Sequence, residues 1–528
     1  MSARRGARDR TDLRRPARAA GLLLHPTSLP GRFGSGDLGA DAATLLDWLA
    51  AAGLSVWQML PVGPTGYGDS PYNALSAFAG NPWLVSPDAL AADGLLTPEE
   101  LAAAATPEEA RIDFAAVRRT RGRLLRSAFE RHAARPDHPL HEELRAFADH
   151  ERRRLWLDDW TLFATIREQQ NQRSWLDWPD GLRDRQPAAL AEIRSRHAGT
   201  VRFHEFVQFL FHRQWEALRA GARSRGVRLL TDLPIYVALD SADVWSHREL
   251  FDLEPSGQPR AVAGVPPDYF SQDGQRWGHP LYRWDEMARA GFPWWIARLE
   301  HETARADLVR LDHFRGFVAY WRIAAGEATA RNGRWVRGPG ERLFRALRAR
   351  LGALPLLAED LGDVDDRVER LRRRLGLPGM RVLQFAFADE DSLHAPHRHA
   401  PDAVVYTGTH DNDTTRGWFA GAGEEERKRA LAYLGCEPSR ISWAMVRAAL
   451  TSVAGLAIFP LQDLLDLDSG ARMNRPSATR GNWDWRVRHG DVPDDLPRRL
   501  RELIAATARL PVTDMVAAPA SGASDSAG

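Results

Sequence analysis

The chain repeats one pattern. A short run of apolar residues gives way to a longer stretch in which apolar residues recur every three or four positions. Eight such runs occur, at 21–25, 55–60, 227–232, 307–312, 355–360, 380–387, 403–411 and 455–463. Apolar runs this short, bounded by turn-forming residues, read as buried strands. Stretches 40–53, 204–226, 340–352 and 365–376 carry the helical period, and each ends in Gly, which accepts the left-handed backbone that closes many helices. Strand and helix in alternation predict parallel βα units. Eight units predict an α/β fold, a (β/α)8 TIM barrel with inserted, mostly helical subdomains.

Two intervals are too long for plain connections. Residues 86–200 are rich in Ala, Arg and Glu and predict a helical insertion. Residues 233–306 are rich in Pro, Gly and aromatics and predict substrate loops. Residues 1–18 are Arg-rich, contain Asp9 and Asp12, and lack the apolar core of a secretory signal. They read as a disordered basic leader on a cytoplasmic protein. The catalytic unit is then 19–510. Residues 511–528, small and polar, read as a disordered tail.

Composition narrows the function. Basic and acidic residues number 71 and 70, for a net charge of +1, so bulk electrostatics gives no reason to expect a nucleic-acid or membrane partner. The single Cys436 excludes an internal disulfide framework and any multi-cysteine metal site. No apolar run reaches the roughly 18 residues of a membrane span. The chain has 19 Trp. Core packing explains most of them, but indole faces also stack on sugar rings, which keeps a carbohydrate groove in view.

Chemistry gathers where the runs end. Asp232, Asp312 and Glu359 close runs three, four and five, and Asp411 closes run seven. In a barrel these ends share one face, where active sites lie. Any one such carboxylate could be a helix N-cap. Four together, with Arg310, His313 and His410 beside them, point to a site. Arg310 and Asp312 lie two apart on one strand and so face the same way; a guanidinium there favours the carboxylate form that a nucleophile needs. Glu359 follows Leu356, Leu357 and Ala358, an apolar approach that favours the protonated form. Two carboxyl groups with separated acidities, about 5 Å apart, are what retaining glycoside chemistry requires. Asp411, next to His410, would hold sugar hydroxyls. The alternative is a metal site built from 409–413 with His25 and His313, but barrel metallohydrolases use more strand-end histidines. The His-rich stretch 394–400 reads as a solvated loop. Glycoside chemistry needs no cofactor, and no calcium loop of the EF-hand kind is present.

Six segments, in chain order, resemble one family. They are "VWQMLPVGPTGYGDSPYNALSAFAGNPWLV", "DLPIYVALDSADVW", "GVPPDYFSQDGQRWGHPLYRW", "LVRLDHFRG", "LLAEDLG" and "YTGTHDNDTTRGW". Together they are similar to the 4-α-glucanotransferases (amylomaltases, or disproportionating enzymes), glycoside hydrolase family 77 of the α-amylase clan. The resemblance covers about residues 20–490. It implies a retaining transfer of α-1,4-glucan segments to the 4-hydroxyl of an acceptor, with maltooligosaccharides and α-1,4-glucans as partners. It implies Asp312 as nucleophile, Glu359 as general acid/base and Asp411 as transition-state stabiliser. Arg310, His313 and His410 fall on subsite residues, and Asp232 on the acidic end of the third strand. Tyr72 would stack on the donor sugar. Tyr269, Phe270 and Trp277 would arch over the glucan and keep water out. Two positions depart from the family pattern: His279 stands where Asn is usual, and Ser477 and Ala478 where Gly and Thr are usual. An α-glucan hydrolase of the same clan and a catalytically inactive glucan-binding protein remain the alternatives.

Overall fold

The computed structural model describes residues 18–511, apart from 151–154, 268–270, 363, 477 and 479. The leader before Arg18, the tail after Pro511, Tyr269, Phe270 and Ser477 lie outside the described residues. Its strands, in chain order, are β1 (Ala19–Leu23), β2 (Val56–Gln58), β3 (Arg228–Leu233), β4 (Ala261–Val265), β5 (Gln275–Pro280), β6 (Leu308–Leu311), β7 (Ala319–Ala324), β8 (Arg334–Arg337), β9 (Leu356–Ala358), β10 (Gly379–Val382), β11 (Ala403–Tyr406) and β12 (Leu456–Pro460).

All eight apolar runs are strands of one parallel sheet, ordered β10-β11-β12-β1-β2-β3-β6-β9. Its two edges approach each other: Ala358 N–H donates to Pro378 C=O at 2.9 Å, beside the start of β10. The sheet is thus a nearly closed barrel, as the alternation predicts. Its strands are short and almost wholly buried, because barrel strands are covered on both faces. Gly21 allows the close approach of β1 to β2; a Cβ there would sit 2.8 Å from Val56 atoms. Runs six and seven stop sooner than their apolar stretches suggest. Residues 383–385 turn into a short 3-10 helix, and β11 ends at Tyr406, where the chain leaves the barrel to form the site loops.

Between β2 and β3 the chain forms a set of helices, among them Phe114–Ala133, Leu140–Asp149, Leu157–Gln169 and Ala198–Ser224. Thr97 and Glu100 cap one of them reciprocally, satisfying two free N–H groups. The segment read as loops before run four is more ordered than that reading. It contributes β4 and β5 to an antiparallel sheet, β5-β4-β7-β8. Most of the tryptophans pack the core; Trp57, Trp175, Trp215, Trp245 and Trp295 are fully buried. Among the described residues no helix is long and apolar enough to cross a membrane.

Candidate active site

The floor of the site is a buried charge network. Asp232 on β3 and Arg310 on β6 are register partners across parallel strands. Arg310 Nη1 donates to Asp232 Oδ2 at 2.5 Å and to Asp312 Oδ1 at 3.0 Å. The Arg310 side chain is 4% exposed, that of Asp232 0%, that of Asp312 26%. A core-facing arginine is therefore paired twice, which offsets its lost hydration. Burial alone would lower the guanidinium, but the two carboxylates outweigh it and raise its pKa. Burial pushes the Asp232 carboxyl up to about 6, even with Arg310 pulling it down. Tyr72 O–H also donates to Asp232 Oδ2, at 2.7 Å.

Asp312 and Glu359 stand one step beyond their strands. Asp312 N–H donates to Leu233 C=O at 3.1 Å, and Glu359 N–H to Leu311 C=O at 3.0 Å, so the ladder itself fixes both. The Glu359 carboxylate accepts from His313 N–H at 2.8 Å and from Leu361 N–H at 2.9 Å. His313 reaches it by adopting φ 49°, a conformation uncommon outside Gly that recurs at functional sites. Burial pushes Glu359 up to about 7; Arg310 opposes this and Asp312 reinforces it. Trp277 on β5 meets the His313 ring edge to face, centroids 4.9 Å apart.

Asp411 forms the opposite wall. Its side chain is 47% exposed; the partial loss of hydration in the cleft would raise its carboxyl, but His410, a hydrogen bond from Asn474, and Arg310 hold it below the usual carboxylate range. His410 Nε2 lies 3.3 Å from Asp411 Oδ2, Asn474 Nδ2 donates to Oδ1 at 2.6 Å, and Arg472 Nη2 donates to the Asp411 carbonyl at 2.7 Å. Burial would lower His410; the Asp411 carboxylate outweighs it and raises it. Tyr72 stacks on His410, centroids 5.1 Å apart and planes 14° apart, and Trp483 leans on both. Three carboxyl groups thus share one cleft with distinct surroundings.

A family model described as 4-alpha-glucanotransferase matches residues 24–491. The chain belongs to the 4-alpha-glucanotransferase family. It is 48% identical over 505 residues to the 4-alpha-glucanotransferase of Thermus thermophilus, covering 93% of this chain and 99% of that one. It is 46% identical over 483 residues to that of Synechocystis sp., covering 90% and 95%. Among solved structures, amylomaltase from Streptococcus agalactiae in complex with acarbose superposes with a TM-score of 0.90 at 35% identity, covering 94% of this chain and 100% of that chain. The activity is that of the family: an α-1,4-glucan segment passes to an acceptor 4-hydroxyl through a covalent glycosyl-enzyme, with retention.

Within this glucanotransferase fold, Tyr72, Asp232, Arg310, Asp312, His410 and Asp411 form one connected set of contacts, and Glu359, His313 and Trp277 form a second, joined to the first where His313 follows Asp312 in the chain. Tyr72 does more than offer a ring face, since its hydroxyl is tied to Asp232. The carboxylates and amide of the 409–413 stretch have hydrogen-bond partners within the protein. Asn412 Oδ1 accepts from Thr409, Asp413 from Thr414 and Ser469, and Asp411 from Asn474. Among the described residues no group of three or more His, Cys, Asp or Glu converges as a cation cage. Sequence reasoning missed Asn474, Arg472 and Trp483 as contributors to the Asp411 wall. Asn474 sits in the very stretch that departs from the family pattern, but no strand or period places it.

Proposed function

We propose that Asp312 is the nucleophile, Glu359 the general acid and base, and Asp411 the stabiliser of the transition state, with maltooligosaccharides and longer α-1,4-glucans as donors. The observation that carries this reading is the separation of acidities within one cleft: Glu359 is held up at about 7 while Asp411 is held down. Groups pushed apart in this way serve as acid and as charged stabiliser.

In the first step Asp312 attacks the anomeric carbon, the bond to the leaving O4 breaks, and Glu359 gives that oxygen its proton. The products are a β-glucosyl ester on Asp312 and a free glucan. In the second step Glu359, now a carboxylate, takes the proton of an acceptor 4-hydroxyl. That oxygen attacks the anomeric carbon, the ester bond breaks, and Asp312 leaves as a carboxylate, bonded again to Arg310. The α linkage is restored and no cofactor is consumed. Tyr72 and His410 line the side of the transferred sugar, with Asp232 sealed beneath Tyr72 rather than open to the sugar, and His313 and Trp277 the side of the leaving and accepting sugars, beside Glu359. By the family resemblance Tyr269 and Phe270 would serve the same side. The lone cysteine suits a reducing cytoplasm.

Incubation with maltotriose, without metal or nucleotide, tests the reading. Glucose with a ladder of longer maltooligosaccharides supports it, and Asp312→Asn should abolish the ladder. Glucose and maltose alone would mean a hydrolase. Substrate retention on the protein without turnover would mean a binding protein.

A further inference from the structure

Strand β5 contains an irregularity that sets the direction of two side chains. On β4, Val262 pairs with Pro280 and Gly264 with Arg276. Two steps along β4 therefore span four along β5, so residues 277–279 bulge out of the ladder. Gly278 has φ +80°, which a residue with a Cβ adopts only under strain, and the region around it is open. Bulges beside active sites re-aim side chains. Here the bulge carries Trp277, against His313, and His279. Both rings flank Tyr236, with centroids 6.3 and 6.4 Å away.

His279 is half-buried, and its two ring nitrogens differ. Nδ1 is buried with no hydrogen-bond partner. A sealed N–H without an acceptor is rarer and more costly than an unused lone pair. The assignment that avoids it leaves Nδ1 bare and puts the proton on Nε2. Burial holds the imidazole neutral down to about pH 4, so through the working range it is a fixed N–H donor. The Asp312 carboxylate is close enough to act on its charge. The transferred sugar occupies the Tyr72 and Asp411 side of the nucleophile. His279, on the strand of Trp277, is then on the side of Glu359, where the leaving segment departs and the acceptor enters.

We infer that His279 is a specificity-determining residue: its Nε2–H binds a hydroxyl oxygen of the accepting glucose unit and helps that sugar outcompete water. The inference rests on the roles proposed above for Asp312 and Glu359. A neutral hydrogen bond of this kind changes an affinity about 2- to 12-fold.

The experiment uses α-maltosyl fluoride as donor and glucose as acceptor, and follows maltotriose and maltose separately. His279→Phe keeps a flat ring without the donor; His279→Asn keeps a donor. For His279→Phe the KM for glucose should rise about 2- to 12-fold, with a smaller change in kcat at saturating glucose. The ratio of maltotriose to maltose at low glucose should fall by the same factor. His279→Asn should restore most of the lost affinity. An unchanged KM in His279→Phe, or a His279→Asn that behaves like His279→Phe, overturns the inference. A measurement on the wild-type enzyme does not depend on either variant folding. Of the singly deoxygenated glucoses that keep the 4-hydroxyl, one should show the same rise in KM; equal KM values for all of them overturn the inference. A wild-type enzyme that makes no maltotriose at all would instead refute the proposed function.

Discussion

Raising the pH through 7 removes the proton that Glu359 must give to the leaving oxygen. Burial holds that carboxyl up to about 7 against the pull of Arg310, a preference for the neutral form of about 3 kcal/mol over an ordinary glutamate. The free enzyme's acid shows in kcat/KM. For a maltotriose donor, kcat/KM should fall to about a tenth of its plateau at pH 8 and about a hundredth at pH 9, following the protonated fraction. An α-maltosyl fluoride donor needs no proton on its leaving group. Its fluoride release should stay nearly flat over the same range, which separates loss of the acid from loss of the fold. Arg310→Met removes the cation that pulls Glu359 down, so the maltotriose limb should move to higher pH. Equal alkaline limbs for the two donors, or a maltotriose profile that is level between pH 6 and 9, would refute the assignment of Glu359. A limb that moves to lower pH in Arg310→Met would refute the electrostatic account.

Asp232→Asn should leave Arg310 bonded to Asp312 alone and slow glycosylation roughly tenfold or more, since an arginine held by one carboxylate stabilises the ground state more than the transition state; faster fluoride release from α-maltosyl fluoride would contradict this. Asn474→Ala removes a 2.6 Å hydrogen bond to Asp411; bonds to charged groups are worth about 1.5–3 kcal/mol, so kcat/KM for maltotriose should drop roughly ten- to hundredfold, and a change under twofold would argue against Asp411 as stabiliser. Tyr72→Phe keeps the stack on His410 but loses the bond to Asp232, and should lower stability in urea by about 1 kcal/mol; an unchanged midpoint would show that bond to be idle. His25 and His132 are buried and neutral, with pKa values lowered by burial to about 3 and about 4. The unfolded chain takes up their protons near pH 6.5 and the folded one does not, so their contribution is complete above pH 6.5 and is lost as pH falls, roughly 2 kcal/mol each by pH 5; Glu359 and Asp232, raised by burial, act in the opposite sense, so the test is a difference: a His132→Leu variant whose urea midpoint changes between pH 7 and 5 just as the wild type's does would disprove it.

The barrel was legible because burial on both faces leaves each strand a continuous apolar run, and the carboxylates were legible because each closes such a run. The antiparallel sheet was not. Its own core is small, Val262, Ile323 and Ala330; β8 is largely exposed or half-exposed; and the bulge at 277–279 breaks the two-residue period of β5. Such strands are stabilised by pairing with distant segments, which no local pattern records. The Asp411 wall was half legible. His410 adjoins Asp411 in sequence, whereas Asn474, Arg472 and Trp483 arrive from loops placed only by the closed barrel. The tryptophan count pointed to a sugar groove, yet most indoles fill the core, and Trp277 and Trp483 are the ones that meet the site residues.

The arginine in a core-facing strand position has its explanation in how it is shared. Bonded to Asp312 alone, Arg310 would stabilise the free carboxylate before attack and hinder glycosylation, because binding the ground state as well as the transition state gains nothing in rate. Bonded at 2.5 Å to the sealed Asp232 and at 3.0 Å to Asp312, it keeps its main partner when the nucleophile turns into a neutral ester. The charge lost from Asp312 in the first step therefore leaves no unpaired buried cation, and the charge regained in the second step meets a donor already in place. A transferase needs both halves. Its covalent intermediate must form readily and then wait for a sugar. Asp232, which forms no bond with the substrate in the two steps above, makes both possible by holding Arg310 in the same place throughout.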